Sequence, residues 1–139
     1  MSRPVRGLVL AHSSLAFGLA AAVRQISGAD EEALEAVSND GQGPDGMVEA
    51  IEKKVGDEPT IIFTDLTSGS CAFAARKFAR ARPEIGIVCG VNLPILIDFV
   101  FHREMPLGEL VARLVEKGRG GINGTCVQEA ADADRAAPR

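Results

Sequence analysis

The 139-residue sequence has no tryptophan or tyrosine and only six phenylalanines. Proteins that bind single-stranded nucleic acid stack bases on aromatic side chains, and proteins that bind duplexes neutralise phosphates with clustered basic residues. The scarcity of aromatics opposes the first kind of binding, and a formal net charge of −4 opposes the second. We therefore expect no nucleic-acid partner. A flavin-binding module is also disfavoured, because no Trp or Tyr is present to stack on the flavin ring.

Cysteines are few and show no regular spacing. Cys71, Cys89 and Cys126 form neither a Cys-x-x-Cys pair nor an even-numbered framework, so we interpret them as free thiols in a reducing compartment. The first apolar run is broken by His12 and two serines, which does not fit a signal peptide. The longest run, residues 85–101, contains Asn, Pro and Asp and does not predict a membrane span. Together these features predict a cytoplasmic protein.

Short apolar runs alternate with segments of helical periodicity along the whole chain. The predicted strands are residues 7–11, 34–37, 60–64 and 85–89. The predicted helices are residues 14–27, 45–55, 70–81, 94–101 and 107–117. This alternation predicts an α/β fold with a doubly wound, mainly parallel sheet and helices on both faces.

The C-terminal part of the chain completes the predicted domain. Residues 125–128 are β-prone and would add an antiparallel edge strand after a Gly-rich hinge at residues 118–121. The domain is expected to span residues 1–128. Residues 129–139 are mostly Ala, Asp and Arg, which favours a disordered tail.

His12 directly follows the first predicted strand and precedes the first predicted helix. At such a position the free N–H groups of a helix N-terminus and the positive end of the helix dipole stabilise negative charge. Ser13 adds a hydroxyl group beside the ring. The arrangement predicts that His12 carries a phosphoryl group, and that Ser13 contacts it.

Asp65 ends the third predicted strand, and carboxyl ends of parallel strands share one edge of a sheet. A carboxylate beside His12 would accept the N–H of one ring nitrogen and leave the other nitrogen free to attack phosphorus. Hydroxyl and backbone N–H groups for phosphoryl oxygens follow at Thr67, Ser68, Gly69 and Ser70. The alternative is that Asp65 and Ser70 only cap a turn and a helix. The pairing with His12 favours the catalytic interpretation.

Other polar features are interpreted as structural. The loop of residues 38–46 lacks Gly-Lys-Ser/Thr, so it is not a P-loop, and we place it at the rim of the site. His102 is expected to lie at the surface. The basic run at residues 76–82 is interpreted as the solvated face of the third helix.

Three segments resemble the EIIA components of the mannose-type sugar phosphotransferase system. They are Ala11-His12-Ser13, residues 63–72, and the run Gly90-Val91-Asn92-Leu93-Pro94-Ile95-Leu96. The resemblance covers residues 5 to about 127. It implies that His12 accepts phosphate from the phosphohistidine of HPr and passes it to an EIIB component. It also implies that Asp65 orients the ring and that Ser70 contacts the phosphoryl group.

The same resemblance implies a homodimer, with a C-terminal strand exchanged in some members, that is at most peripheral to membrane EIIC and EIID components. Neither a metal nor a cofactor is expected beyond the covalent phosphohistidine, because phosphoryl transfer depends on positioning and charge stabilisation.

The sequence also departs from the family. Members often have Thr, an aromatic residue, Gly-Gly-Ser and Pro after the aspartate, whereas this chain has Leu66-Thr67-Ser68-Gly69-Ser70-Cys71. The start Ala11-His12-Ser13-Ser14 is also similar to the phosphocarrier subunit of dihydroxyacetone kinase, although that protein's Asp-x-Gly-Ser motif is not matched. A phosphocarrier of that type, or a phosphorylation-sensing regulatory module that uses the same His12, remains the alternative function.

Overall fold

The computed structural model describes residues 3–127, and in them four parallel strands form one sheet of order β2-β1-β3-β4. The strands are β1 (Arg6–Ala11), β2 (Leu34–Ser38), β3 (Thr60–Thr64) and β4 (Ile85–Cys89). The helices are α1 (Leu15–Ser27), α2 (Pro44–Lys54), α3 (Ser70–Ala79), α4 (Leu93–Val100) and α5 (Leu107–Gly120). The predicted α/β class is confirmed, and these helices and strands begin and end within three residues of the predicted bounds.

The two central strands carry the apolar character of the sheet. All five residues of β3 are buried, and β1 is buried from Gly7 to Ala11. Near-continuous apolar runs are expected of parallel strands that are covered on both faces. After β1 the chain continues to one side of the sheet, and after β3 it continues to the other. The carboxyl ends of β1 and β3 therefore meet where ligands and reactive groups are placed in open α/β sheets.

Each face of the sheet has its own core. Helices α1, α4 and α5 cover one face, where the rings of Phe63 and Phe99 meet edge to face with centroids 5.2 Å apart. Helices α2 and α3 cover the other face, around Met47, Ile51 and Phe78. No helix within residues 3–127 is long and apolar enough to cross a membrane.

Asn92 connects the two helices that follow β4. Its side-chain Oδ1 accepts a hydrogen bond from Ile95 N at 3.0 Å and thereby caps the N-terminus of α4. Its Nδ2 donates to the carbonyl of Gly118 on α5 at 3.1 Å. The Gly-Val-Asn-Leu-Pro run noted in the sequence therefore has a structural role at this end of the sheet.

The predicted antiparallel edge strand at residues 125–128 is not confirmed. Thr125 and Cys126 have no regular structure and Val127 is helical, while Gln128 and the predicted tail lie outside the described residues. A strand needs a neighbouring strand to pair with its backbone groups, and within residues 3–127 no strand pairs with residues 122–127. Most of the predicted Gly-rich hinge also belongs to α5, where Gly118 packs against Ile95.

Candidate functional site

His12 and Asp65 leave adjacent strands at the same edge of the sheet. Leu10 of β1 pairs in register with Thr64 of β3. His12 and Asp65 lie just beyond these two residues along the chain, so they are close to each other. Asp65 Oδ2 accepts a hydrogen bond from the backbone N–H of His12 at 3.0 Å and lies 2.8 Å from the ring Nδ1. The side chain of Asp65 is 10% exposed and that of His12 is 41% exposed. The carboxylate is thus enclosed, while part of the imidazole faces solvent.

The surroundings of Asp65 determine the tautomer of the ring. Burial raises the pKa of Asp65, but the hydrogen bonds from the His12 backbone and ring outweigh burial and hold this pKa below its usual value. Asp65 is therefore ionised near neutral pH and can only accept hydrogen bonds. In the neutral imidazole the proton then lies on Nδ1, and Nε2 carries a free lone pair. The second carboxylate oxygen, Oδ1, accepts from Leu66 N at 3.0 Å.

The turn after His12 is strained and is held by the loop after β2. Ser13 has a φ of 56°, an uncommon backbone conformation for a residue other than glycine. Its N–H donates to Asn39 Oδ1 at 3.0 Å, and its carbonyl accepts from Ser38 Oγ at 2.7 Å. The rim loop predicted from the sequence thus supports the turn that carries His12. Sequence reasoning missed Asn39, whose only signal was its place at the functional edge of the sheet.

The predicted phosphoryl-binding segment leads into α3. Thr67, Ser68 and Gly69 are exposed, and Ser70 is half-buried. Gly69 is the N-cap residue of α3 and has a φ of 97°, which favours glycine at this position. The carbonyl of Thr67 accepts from Arg76 Nη2 at 2.8 Å. Arg76 therefore stabilises this segment, whereas the basic run to which it belongs was predicted only to form a solvated helix face.

Cys71, in the first turn of α3, lies against the imidazole of His12. Its Sγ lies 3.9 Å from His12 Nδ1, and the residue is only 1% exposed. Burial and then the charge of Asp65 raise the pKa of this thiol. The donor atoms of His12, Asp65 and Cys71 all lie within 4.8 Å of one another. Sequence reasoning treated Cys71 as an ordinary free thiol, and its place directly after Ser70 at the start of the predicted third helix was the available signal.

Two exposed apolar side chains flank the histidine. Leu15, whose N–H donates to His12 O at 3.2 Å, is 44% exposed. Leu66, which directly follows Asp65, is 55% exposed. A polar reactive centre between exposed leucines is well suited to contact another protein, because the core of a protein interface is apolar.

His102 lies at the opposite end of α4 from His12 and Asp65. It follows the C-terminus of that helix, whereas the site is at the end where the helix begins. Its Nδ1 is 2.8 Å from the carbonyl of Asp98, so it satisfies one of the last carbonyls of the helix. The structure does not bring His102 together with the predicted site residues.

The sequence matches the profile of the EIIA-man family, described as the fructose IIA component of the phosphotransferase system, over residues 7–115. The chain belongs to this family. Among curated proteins, none matches the sequence significantly.

Solved structures of phosphotransferase IIA proteins share the fold. The EIIA component from Streptococcus agalactiae superposes with a TM-score of 0.80 at 21% identity, covering 86% of this chain and 96% of that chain. The mannose/sorbose-specific IIA subunit from Enterococcus faecalis gives 0.77 at 23% identity, covering 90% and 97%. A IIA protein associated with the fucose utilization operon of Streptococcus pneumoniae gives 0.73 at 20% identity, covering 94% and 99%.

Proposed function

We propose that this EIIA-family chain is a phosphoryl carrier of a sugar phosphotransferase system, with Nε2 of His12 as the atom that holds the phosphoryl group. The observation that carries the proposal is the hydrogen bond between Asp65 Oδ2 and His12 Nδ1, at 2.8 Å. An ionised carboxylate at this distance keeps the proton on Nδ1 and leaves Nε2 as the nucleophile. Membership of the EIIA-man family supports the same assignment.

In the proposed reaction the lone pair of His12 Nε2 attacks the phosphorus of phosphohistidine on HPr. The bond between phosphorus and the donor nitrogen breaks, and its electron pair stays on the donor imidazole. The acceptor ring keeps its Nδ1 proton and becomes positively charged, and the adjacent Asp65 carboxylate balances that charge. Donation to the EIIB component reverses these steps, with Nε2 as the leaving group.

The phosphoryl oxygens need hydrogen-bond donors, and the start of α3 offers them. The contact between Cys71 Sγ and the ring supports this assignment, because it brings the first turn of α3, with its free N–H groups and positive dipole end, close to His12. We assign the hydroxyl and N–H groups of residues 67–70 to the phosphoryl oxygens, together with the hydroxyl of Ser13. Transfer in this scheme requires neither a metal nor a cofactor, because charge is stabilised by fixed dipoles.

The proposed partners are phospho-HPr and a EIIB component in the cytoplasm, which would dock in turn on the exposed leucines that flank His12. We also propose a homodimer, since β2 and β4 are the outer strands of a four-stranded sheet and an uncovered edge invites pairing. Light scattering at high micromolar concentration tests the dimer. A chain truncated after Gly121 tests whether the terminal segment contributes to it.

The carrier function is tested by intact mass after incubation with phosphoenolpyruvate, enzyme I and HPr. We expect one added phosphoryl group that is lost in acid, as a phosphoramidate is. His12→Ala should take up none, whereas the matched variant His102→Ala should behave as wild type. Uptake by His12→Ala would refute the assignment. Uptake without onward transfer to any EIIB would instead support the regulatory module, and transfer to a dihydroxyacetone kinase would support that alternative carrier.

A further inference from the structure

The imidazole of His12 lies beside the thiol of Cys71, a group that the proposed phosphoryl transfer does not use. Cys71 Sγ lies 3.9 Å from Nδ1, and Asp65 Oδ2 lies 2.8 Å from the same nitrogen. One nitrogen, one sulfur and one carboxylate oxygen therefore meet within 4.8 Å. These are the three ligand types that zinc takes in proteins.

The separations fit a small tetrahedral ion. With zinc–ligand bonds of about 2.0 to 2.3 Å, two ligand atoms of a tetrahedral site lie roughly 3.3 to 3.7 Å apart. The separations of 2.8 Å between Oδ2 and Nδ1 and of 3.9 Å between Nδ1 and Sγ lie on either side of that range, and all three atoms lie within 4.8 Å of one another. Side-chain shifts of up to about 1 Å would therefore complete the site. A water molecule would be the fourth ligand of this tetrahedral site.

We infer that His12 Nδ1, Asp65 Oδ2 and Cys71 Sγ form a Zn²⁺ site, and that zinc bound there prevents phosphorylation of His12. The thiolate selects zinc over Mg²⁺ and Ca²⁺, which prefer oxygen ligands. On binding, the thiol proton is released to solvent. The ring proton moves through water from Nδ1 to Nε2, because Nδ1 now gives its lone pair to the metal.

Inhibition follows from the protonation state of the zinc-bound imidazole. A protonated Nε2 has no lone pair with which to attack phosphorus, so the zinc-bound form cannot accept a phosphoryl group. The inhibitory half of this inference rests on the proposed carrier function, whereas the metal site itself rests only on the three side chains. The two halves therefore need separate measurements.

Cobalt(II) provides the first measurement on the full, untagged chain. We expect one Co²⁺ per chain, with the visible bands of a tetrahedral ion and a thiolate charge-transfer band in the near ultraviolet, all lost on adding Zn²⁺. Cys71→Ser should abolish the charge-transfer band, whereas the matched variant Cys89→Ser should keep it. Removing a residue that only hydrogen-bonds to a metal ligand lowers metal affinity by about 10- to 100-fold. Cys71 is a direct ligand in this site, so Cys71→Ser should weaken Zn²⁺ binding by at least that factor.

A wild-type chain without the charge-transfer band would overturn the site, as would a band that persists in Cys71→Ser. Equal loss of the band in Cys89→Ser would overturn the assignment of the ligand. If Cys71→Ser does not fold, Cys71→Ala makes the same comparison without adding a hydroxyl group.

The second measurement uses purified phospho-HPr as the donor, so that no other enzyme responds to metal. For each variant, the initial rate with buffered Zn²⁺ is divided by the rate with a chelator. We expect this ratio to fall with zinc occupancy in wild type and to stay near one in Cys71→Ser. A wild-type ratio near one with the site full would overturn the inhibition. No uptake even with chelator would refute the carrier function, and the cobalt spectra would still decide whether the metal site exists.

Discussion

A single oxygen of Asp65 accepts two hydrogen bonds from His12, one from the backbone N–H at 3.0 Å and one from the ring Nδ1 at 2.8 Å. The backbone bond fixes where the residue leaves β1, and the ring bond fixes how the imidazole is turned. Both groups are held by strands that lie side by side in the sheet. The orientation of the nucleophile is thus determined by the two central strands of the sheet.

Replacing Asp65 with asparagine should slow phosphoryl uptake without unfolding the protein. The amide can still contact the ring, but it carries no charge and can donate to Nδ1, which favours the tautomer with the proton on Nε2. We expect transfer from phospho-HPr to slow by roughly 10- to 1000-fold, the range for partners of a catalytic histidine. Stopped-flow or quench measurements of uptake give the rate, and ¹⁵N NMR of the imidazole reports the tautomer.

The matched control for this change is Asp45→Asn. Asp45 is exposed and pairs with Lys77 at 2.7 Å on the surface, so its charge is removed without touching the site. The control should transfer phosphate at the wild-type rate. An equal transfer rate in Asp65→Asn would remove Asp65 from the mechanism.

Phe99 should be one of the costliest side chains to truncate. It is fully buried, meets Phe63 edge to face, and lies so close to Gly7 that a Cβ there would come within 2.7 Å of its ring. Phe99→Ala should lower the free energy of unfolding by about 3 to 5 kcal/mol, as large-to-small changes in cores do. Phe101 is 65% exposed, so Phe101→Ala should change the urea midpoint little. Similar losses in both variants would contradict this account of the core.

Gly118 should not tolerate even a methyl group. A Cβ at this position would lie 2.5 Å from Ile95 Cδ1, at the contact between α4 and α5. We expect Gly118→Ala to destabilise the protein by about 1 to 3 kcal/mol, although alanine is the better helix former. On the same helix an added Cβ at Gly108 would meet no atom within 4 Å. Gly108→Ala should therefore be neutral or stabilise by up to about 1 kcal/mol, and thermal melts that rank the two variants in the opposite order would refute the packing argument.

Much of this arrangement follows from the sequence alone. Because parallel strands end at one edge, the sequence predicts that His12 and Asp65 lie at the same edge of the sheet. Their direct contact follows from the adjacency of β1 and β3 in the strand order. The predicted roles of Thr67, Ser68, Gly69 and Ser70 remain predictions, because their partner would be a bound phosphoryl group.

Other features depend on geometry that residue patterns do not encode. The contact of Ser13 with Asn39 depends on a left-handed turn, and the approach of Cys71 to the ring depends on the rotation of α3 about its axis. The predicted strand at residues 125–128, which is not confirmed, has a related explanation. β-Propensity describes how a segment fits a sheet that is offered to it, and within residues 3–127 no strand pairs with this segment.

The ion pair between Asp98 and Arg113 should make stability depend on pH. Arg113 Nε and Nη2 donate to the two oxygens of Asp98 at 2.7 and 3.1 Å, which joins α4 to α5. The hydrogen bond from Arg113 is the largest cause that lowers the pKa of Asp98, and the nearby His102 and Lys117 lower it further. Because the folded pKa lies below the unfolded value of about 3.9, the stabilisation is complete above that value and is lost as the pH falls through the folded pKa.

Arg113→Met should therefore be less stable than wild type at pH 7, and the difference should shrink below about pH 4. Arg119→Met, an exposed position on the same helix, is the control and should show no such convergence. Urea unfolding of the three proteins from pH 7 to pH 3 provides the comparison, and a gap between Arg113→Met and wild type that stays constant with pH would show that the pair does not carry this stabilisation.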